Sequence, residues 1–214
     1  MVKVAPDRHL LLLLSACGSS AAIPDAPCAK PVVFLERMGG AYDHGVVDDA
    51  TRNLSLLVDQ PRTLPPWPND QWNSLAACIK TALAPFPIDV TDVDPGSAPH
   101  FELVFTTAYW AGDVGTTGIV PDSCRPGHQI GFLFGAALPT YTRACQVAMI
   151  GFAEMAANLS PVDNCADLLN NDMDCAPMRA FIDHEEPCTT GACRCGGTTE
   201  NTFRALETAL PACP

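Results

Sequence analysis

Histidine and carboxylate side chains are the groups in this chain that could bind a catalytic metal. A zinc peptidase site on a helix needs two histidines four residues apart, with a glutamate directly after the first. The chain has five histidines, at positions 9, 44, 100, 128 and 184, and no two of them have this spacing. The tripeptide His184-Glu185-Glu186 begins like such a motif, but Pro187 and Cys188 follow it. We therefore expect an exposed acidic loop at this point.

Carboxylates offer two further candidate sites. Glu154 is the only carboxylate between residues 141 and 159. Burial would raise its pKa and suit it to general-base chemistry, whereas at the solvent edge it would have a structural role only. Asp89, Asp92 and Asp94, with Gly96, offer oxygen ligands for calcium but lack the spacing of an EF-hand loop. A turn that closes a strand is the favoured interpretation of these three.

Cysteine is frequent, with eleven residues in 214. Without Cys17, discussed next, ten remain, and in an exported protein an even number predicts disulfides, here up to five. The candidates are Cys28, Cys78, Cys124, Cys145, Cys165, Cys175, Cys188, Cys193, Cys195 and Cys213. The last cluster, at 188, 193 and 195, fits the paired spacing of structural zinc ligands poorly. The sequence leaves the pairing open.

The first 17 residues have the pattern of an export signal. A head with Lys3 and Arg8 precedes the leucine run at 10–14, and Ser15-Ala16-Cys17 follows it. Leu-Ser-Ala-Cys resembles a bacterial lipobox, which implies a signal peptide at 1–16, acylation of Cys17 and a flexible tether at 17–30. The expected location is the cell envelope, at the outer membrane or the cell surface, with the lipid as the membrane contact. An ordinary cleaved signal, with Cys17 incidental, is the alternative.

Charge and length restrict the class of protein. The formal net charge is −12, and the twelve basic residues form no cluster, which argues against nucleic acid as a partner. No second apolar run approaches the roughly 18 residues that a membrane span needs. Residues 31–214 are enough for one domain with a sizeable core. We therefore expect a single domain outside the membrane.

Hydrophobic periodicity places the first elements. Strands are predicted at 31–35, 88–93, 100–106 and 130–134, the third with Phe101, Leu103 and Phe105 facing inward. Four prolines between 61 and 68 exclude a helix or a central strand there. A helix is predicted from about residue 70 to 83. Its buried face would consist of Trp72, Leu75, Ala76, Ile79 and Leu83.

The second half of the chain is organised around a long helix predicted at 141–159. Tyr141, Cys145, Ala148, Phe152, Met155 and Leu159 form its apolar stripe. A loop-rich, cysteine-rich segment follows to residue 197, and a last helix is predicted at 199–210. The order of elements predicts an α+β fold.

Several strings, in this order, resemble those of secreted bacterial metzincin-like metallopeptidases. They are VFLERMGG at 33–40, VTDVDPG at 90–96, PHFE at 99–102, GDVG at 112–115, CAD at 165–167 and CGGTTENT at 195–202. The resemblance covers residues 31–210. It implies a twisted mixed sheet packed on two long helices, with a disulfide-rich C-terminal region and a C-terminal helix. The zinc site of the family would lie on the second helix.

The zinc motif itself is missing from the helix at 141–159. The preferred register puts Glu154 on the catalytic glutamate of the family and Ala153 and Ala157 where its histidine pair belongs, with Asp163 near the third ligand. Ungapped alternatives put the pair at 151 and 155 or at 150 and 154, and they lack histidine as well. Glu154 would then be a vestigial general base, and no residue is assigned as catalytic or as a metal ligand.

The resulting expectation is a pseudopeptidase without a cofactor. It would bind a peptide or protein ligand or act as a scaffold at the cell envelope. One alternative is an active zinc peptidase with an atypical ligand set drawn from His100, His128, His184, Glu154 and Asp163. The other is a purely structural surface lipoprotein.

Overall fold

A computed structural model describes residues 29–68, 70–109, 118–120, 124, 129–135, 138–172, 175 and 179–210. The expected signal peptide, Cys17 and most of the tether lie outside these residues, as do Cys28, Cys213 and His128. Within the described residues the fold is α+β, with mixed sheets and three helices. None of these helices is long and apolar enough to cross a membrane.

The main sheet has five strands and carries the core. They are β1 (Val32–Glu36), β5 (Asp89–Thr91), β6 (Phe101–Thr106), β7 (Gly118–Ile119) and β8 (Ile130–Phe134), and their spatial order is β5-β1-β6-β8-β7. All neighbours are parallel except β7, which pairs antiparallel with β8 at the edge. Four strands predicted from the sequence are therefore confirmed, and β7 is an addition.

Helices cover one face of this sheet. They are α1 (Trp72–Leu83), α2 (Tyr141–Ala157) and α3 (Thr202–Ala209). The five residues predicted for the inner face of α1 are all buried. A disulfide between Cys78 and Cys145 joins α1 to α2. The helices and the sheet share one hydrophobic cluster, with Leu75, Phe105 and Phe152 fully buried in it.

The opposite face of the sheet is covered by a small layer that the sequence did not predict. It consists of β2 (Gly40–His44), β3 (Leu54–Ser55) and β4 (Arg62–Leu64), in the order β3-β2-β4. Tyr42 and Leu64 pack there against Val104 and Phe132 of the main sheet. Phe101, Leu103 and Phe105 face the helices, as predicted, and the alternate residues of β6 are buried as well, beneath the small layer. The proline-rich segment does form an edge strand, which its prolines permit.

The boundaries of the two later helices differ from the predictions. Helix α2 ends at Ala157, because Asn158 adopts a left-handed conformation with φ 55° and caps the helix. Helix α3 begins at Thr202 instead of residue 199. Thr199 and Glu200 form strand β10 (Thr199–Glu200), which pairs with β9 (Glu186–Pro187), and the Asn201 side chain caps the helix.

Eight of the ten predicted cysteines form four disulfides in the described residues. The pairs are Cys78–Cys145, Cys124–Cys195, Cys165–Cys175 and Cys188–Cys193. Three of the four lie wholly or partly in the segment after α2. Since the described residues of that segment form only short strands before α3, its conformation depends largely on these cross-links.

Candidate functional site

Helix α2 is the element on which the sequence places the candidate site. The Thr140 hydroxyl accepts a hydrogen bond from the Arg143 amide and starts the helix. Phe152 and Met155 are fully buried, and the Phe152 ring meets Phe101 edge-on, with 5.4 Å between the ring centroids. The inner face of the helix is thus committed to the core. Glu154, between these two residues in sequence, lies toward the outer side.

Glu154 is neutralised by an arginine. The Arg194 Nη2 atom lies 3.2 Å from Glu154 Oε1, and the two side chains are only 21% and 11% exposed. A carboxylate so poorly hydrated is stable in its charged form only with a partner. Glu154 is therefore one half of a poorly hydrated ion pair. It is not the solvent-edge carboxylate considered from the sequence, and a base at this position would have a cation beside it.

Arg194 is held rigidly in position by its neighbours. Cys193 and Cys195, on either side of it, are both disulfide-bonded, to Cys188 and Cys124. The Arg194 amide donates to Ser160 Oγ, just beyond the end of α2. The cross-linked segment is thereby fixed against the C-terminal end of α2, and the guanidinium is directed to Glu154.

Ser160 extends this connection to a second carboxylate. Its amide donates to Glu200 Oε2 at 2.7 Å and its hydroxyl to Glu200 Oε1 at 3.2 Å. Burial raises the pKa of Glu200, while the bonds from Ser160 and the charge of Arg194 act in the opposite direction. The charge of Arg194 therefore acts on two carboxylates, that of Glu154 on α2 and that of Glu200 on β10.

A narrow cleft lies beside Glu154, between α2 and the sheet edge. Its volume is about 140 Å³. Glu154, Gly151 and Val147 of α2 form one wall, and Gly118 and Ile119 of β7 belong to the other. Pockets that enclose drug-sized ligands usually measure roughly 300–1,000 Å³. The cleft can therefore take a side chain or a few atoms, and not a whole small molecule.

The atypical ligand set is not brought together, as far as its members are described. His100 is buried at the start of β6, with Nδ1 2.7 Å from the carbonyl oxygen of Ala98 and its ring edge-on to Phe34. His184 is exposed, with Nδ1 3.2 Å from Glu186 Oε1. Asp163 is exposed and its amide donates to the carbonyl of Pro187. His128 lies outside the described residues.

Two groups in the described part of the chain have the spacing to hold a metal ion. They are Cys165, Asp172 and Cys175, and Cys188, Cys193 and Glu200. In both, the two cysteines are bonded to each other. A disulfide offers no thiolate to a metal. Neither group supplies the ligands of a zinc site in the oxidised protein.

The aspartates considered for calcium form a turn. Asp94 Oδ1 accepts a hydrogen bond from the Gly96 amide at 2.6 Å, and Gly96 has a φ of 62°. Asp92 Oδ2 accepts one from the Trp72 indole at 3.4 Å, and Asp89 lies 3.9 Å from Lys30 Nζ. Each carboxylate has its own partner, in keeping with the predicted turn after β5.

Sequence reasoning missed Glu102, the second residue of the largely apolar strand β6, which is 2% exposed. Tyr42 donates to its Oε1 at 2.6 Å, and its Oε2 has no hydrogen-bond partner among the described residues. Burial, reinforced by the charges of Glu36 and Asp94 and opposed by the Tyr42 bond, raises the pKa of Glu102 to about 7. The sequence did contain a sign of this buried carboxylate, because Glu102 is the one charged residue in the strand and stands between Phe101 and Leu103.

Comparisons with family models, with curated proteins and with solved structures gave no match to this chain. The resemblance to metzincin-like peptidases accordingly depends on the strings quoted above.

Proposed function

We propose that this is an exported, non-catalytic protein of the bacterial cell envelope, with a metallopeptidase-like fold that has lost its zinc ligands. It binds a peptide or protein ligand or serves as a scaffold. The observation that carries the proposal is the Glu154–Arg194 ion pair, because Glu154 stands in the register of the catalytic glutamate.

The architecture supports the metzincin-like part of this proposal. The resemblance implies a mixed sheet packed on two long helices, and the main sheet packs on α1 and α2 in that way. It also implies a zinc site on the second helix, and Glu154 lies on α2 within its last turn. A cysteine-rich region and a short helix follow, as the resemblance requires.

The chemistry around Glu154 supports the loss of zinc. Ala153 and Ala157, on α2 at the positions of the histidine pair, have no side-chain atom that could bind a metal. The guanidinium of Arg194 already carries a positive charge at 3.2 Å from the carboxylate. A divalent cation at the same place would be repelled strongly in a poorly hydrated site. Arg194 thus takes the place that a metal would need.

Zinc stoichiometry tests the proposal directly. The oxidised, tag-free chain from residue 18 onward is incubated with excess zinc, dialysed and measured by elemental mass spectrometry. We expect well under 0.1 zinc per chain and no hydrolysis of a peptide library. About one zinc per chain would favour the atypical peptidase instead, and His100→Ala, His184→Ala and Glu154→Gln would then locate its ligands.

Export has support of its own, and the lipid anchor is a further part of the proposal. Four disulfides in the described residues are typical of an oxidising compartment. We expect Cys17→Ser to move the protein from the membrane pellet to the soluble fraction of a bacterial host. The matched variant Ser15→Ala should stay in the pellet. Unchanged partition of Cys17→Ser would contradict the anchor.

A further inference from the structure

A second cavity, much larger than the cleft beside Glu154, lies between α1, the start of α2 and the residues near 180, and Arg143 lines both. Its volume is about 670 Å³, within the usual range for small-molecule sites. The side of α1, the first turn of α2 and the segment around 179–181 form its walls, and the Cys78–Cys145 disulfide lies in it. The cross-link ties both helices together at this point, so two walls of the cavity are fixed relative to each other.

Apolar groups make up most of the cavity wall. Ala77 and Ala82 contribute methyl groups from α1. Phe86 contributes a ring that contacts those of Phe181 and Phe203, with centroids 5.7 and 5.1 Å apart. The helical walls use their backbone groups internally, so they offer no row of partners to an extended peptide. The cavity suits a hydrocarbon chain better than a peptide.

Two arginines add positive charge to this apolar wall. Arg143 and Arg179 both line the cavity. Arg143 donates to Gln146 Oε1 at 2.8 Å, and Arg179 to the carbonyl oxygens of Asn170 and Asp172. Burial and the charge of Arg179 lower the pKa of Arg143. Burial also lowers the pKa of Arg179, and the charges of Asp172 and Asp167 oppose this shift. In a chain with a net charge of −12, such a pair marks a place for an anion.

We propose that this cavity binds a single-chain fatty carboxylate. The hydrocarbon tail lies against Ala77, Ala82 and the Phe86 cluster, and the carboxylate accepts hydrogen bonds from Arg143, with Arg179 adding positive charge. Charge-assisted bonds to a guanidinium fix the head group, and burial of methylene groups supplies the affinity. The site is distinct from the candidate zinc site, because neither Glu154 nor Arg194 lines the cavity, although Arg143 also lines the cleft beside Glu154.

Calorimetric titration of the oxidised chain from residue 18 with dodecanoate, below its micelle concentration, tests this site. We expect one binding site per chain. Dodecyltrimethylammonium, which has the same tail and the opposite charge, should bind at least about tenfold more weakly. Arg143→Gln should weaken dodecanoate about tenfold and leave the cationic probe no weaker, while the exposed Arg52→Gln should change neither.

A steric variant locates the binding. Ala77 is exposed on α1 and lines the cavity, so Ala77→Trp should narrow it and weaken dodecanoate binding without disturbing the core. Asn73→Trp, on an exposed position of the same helix outside the cavity, should bind like the parent chain. The proposal is overturned if dodecanoate does not bind, if both probes bind equally, or if Ala77→Trp binds as well as Asn73→Trp. Because these outcomes do not involve zinc, they leave the pseudopeptidase proposal to its own test.

Discussion

Glu154 and Glu102 are both removed from water, and the fold deals with their charges in different ways. Glu154 forms an ion pair with Arg194, which lies between two disulfide-bonded cysteines. Glu102 accepts a hydrogen bond from Tyr42 and has Glu36 and Asp94 as its charged neighbours, so its pKa rises to about 7. One carboxylate is balanced by a counter-charge, and the other takes up a proton near neutral pH.

The two glutamates show that a raised pKa and a position at a candidate site need not occur in the same residue. A glutamate that titrates near pH 7 is a frequent sign of a general base. Here that glutamate is Glu102, which is 2% exposed and lies between the main sheet and the β2–β4 layer. The glutamate beside a cleft is Glu154, which is neutralised by Arg194. The raised pKa and the position beside a cleft therefore belong to different glutamates.

The largest effect is expected where the counter-charge is removed. Arg194→Gln leaves Glu154 poorly hydrated and without its cation, and breaking such a pair costs about 3 to 5 kcal/mol. Denaturant unfolding monitored by circular dichroism measures this loss. Arg204→Gln removes an exposed arginine that pairs with Asp183 and Glu207, and should cost less than about 1 kcal/mol. Equal losses in the two variants would mean that Arg194 has no special electrostatic role.

The second effect is a pH dependence that belongs to Glu102. The native pKa is about 7 and the ordinary value 4.5, so the native state binds the extra proton between these pH values. Stability contributed by this proton is complete below about pH 4.5 and is lost as the pH rises through 7. From pH 4 to 8 the free energy of unfolding should fall about 3 kcal/mol more in the parent chain than in Glu102→Gln.

Glu154→Gln is the control that distinguishes the contributions of the two carboxylates to the pH dependence of stability. It removes a charge from the other site and should retain the part of the pH dependence that comes from Glu102. If the parent chain and Glu102→Gln gave parallel curves between pH 4 and 8, the raised pKa of Glu102 would be refuted. Unfolding curves at four or five pH values are sufficient for this comparison.

Local patterns predicted much of the core correctly, because periodicity is a property of neighbouring residues. The inner face of α1 and the position of β8 agree with the structure, and α2 differs only at its end, where Asn158 turns left-handed. The β2–β4 layer was missed because its strands are only two to five residues long, contain many polar residues and, at β4, are flanked by prolines. This layer is stabilised by tertiary packing, because it buries the apolar side chains on the outer face of the main sheet.

The candidate site could be predicted only in part, for a different reason. Glu154 was identified because it is the single carboxylate on an otherwise largely apolar helix. Its partner, Arg194, lies 40 positions further along the chain. Arg194 is held near Glu154 by disulfides of the two flanking cysteines, and the sequence leaves the pairing of those cysteines open. The large cavity is likewise assembled from α1, α2 and residues near 180, and no local pattern marks it.

The smallest expected effect concerns the single hydrogen bond at Glu102. Tyr42→Phe keeps the ring against Phe132, at 5.3 Å between centroids, and removes the hydroxyl that lies 2.6 Å from Glu102 Oε1. A loss of about 1 kcal/mol is expected at pH 8, and less at pH 5, where Glu102 is protonated. Because the Tyr42 bond lowers the pKa of Glu102, its removal should also move the fall in stability to higher pH. Tyr141→Phe, on an exposed tyrosine, should change neither quantity. A Tyr42→Phe curve that coincides with the parent curve would show that burial alone sets the pKa of Glu102.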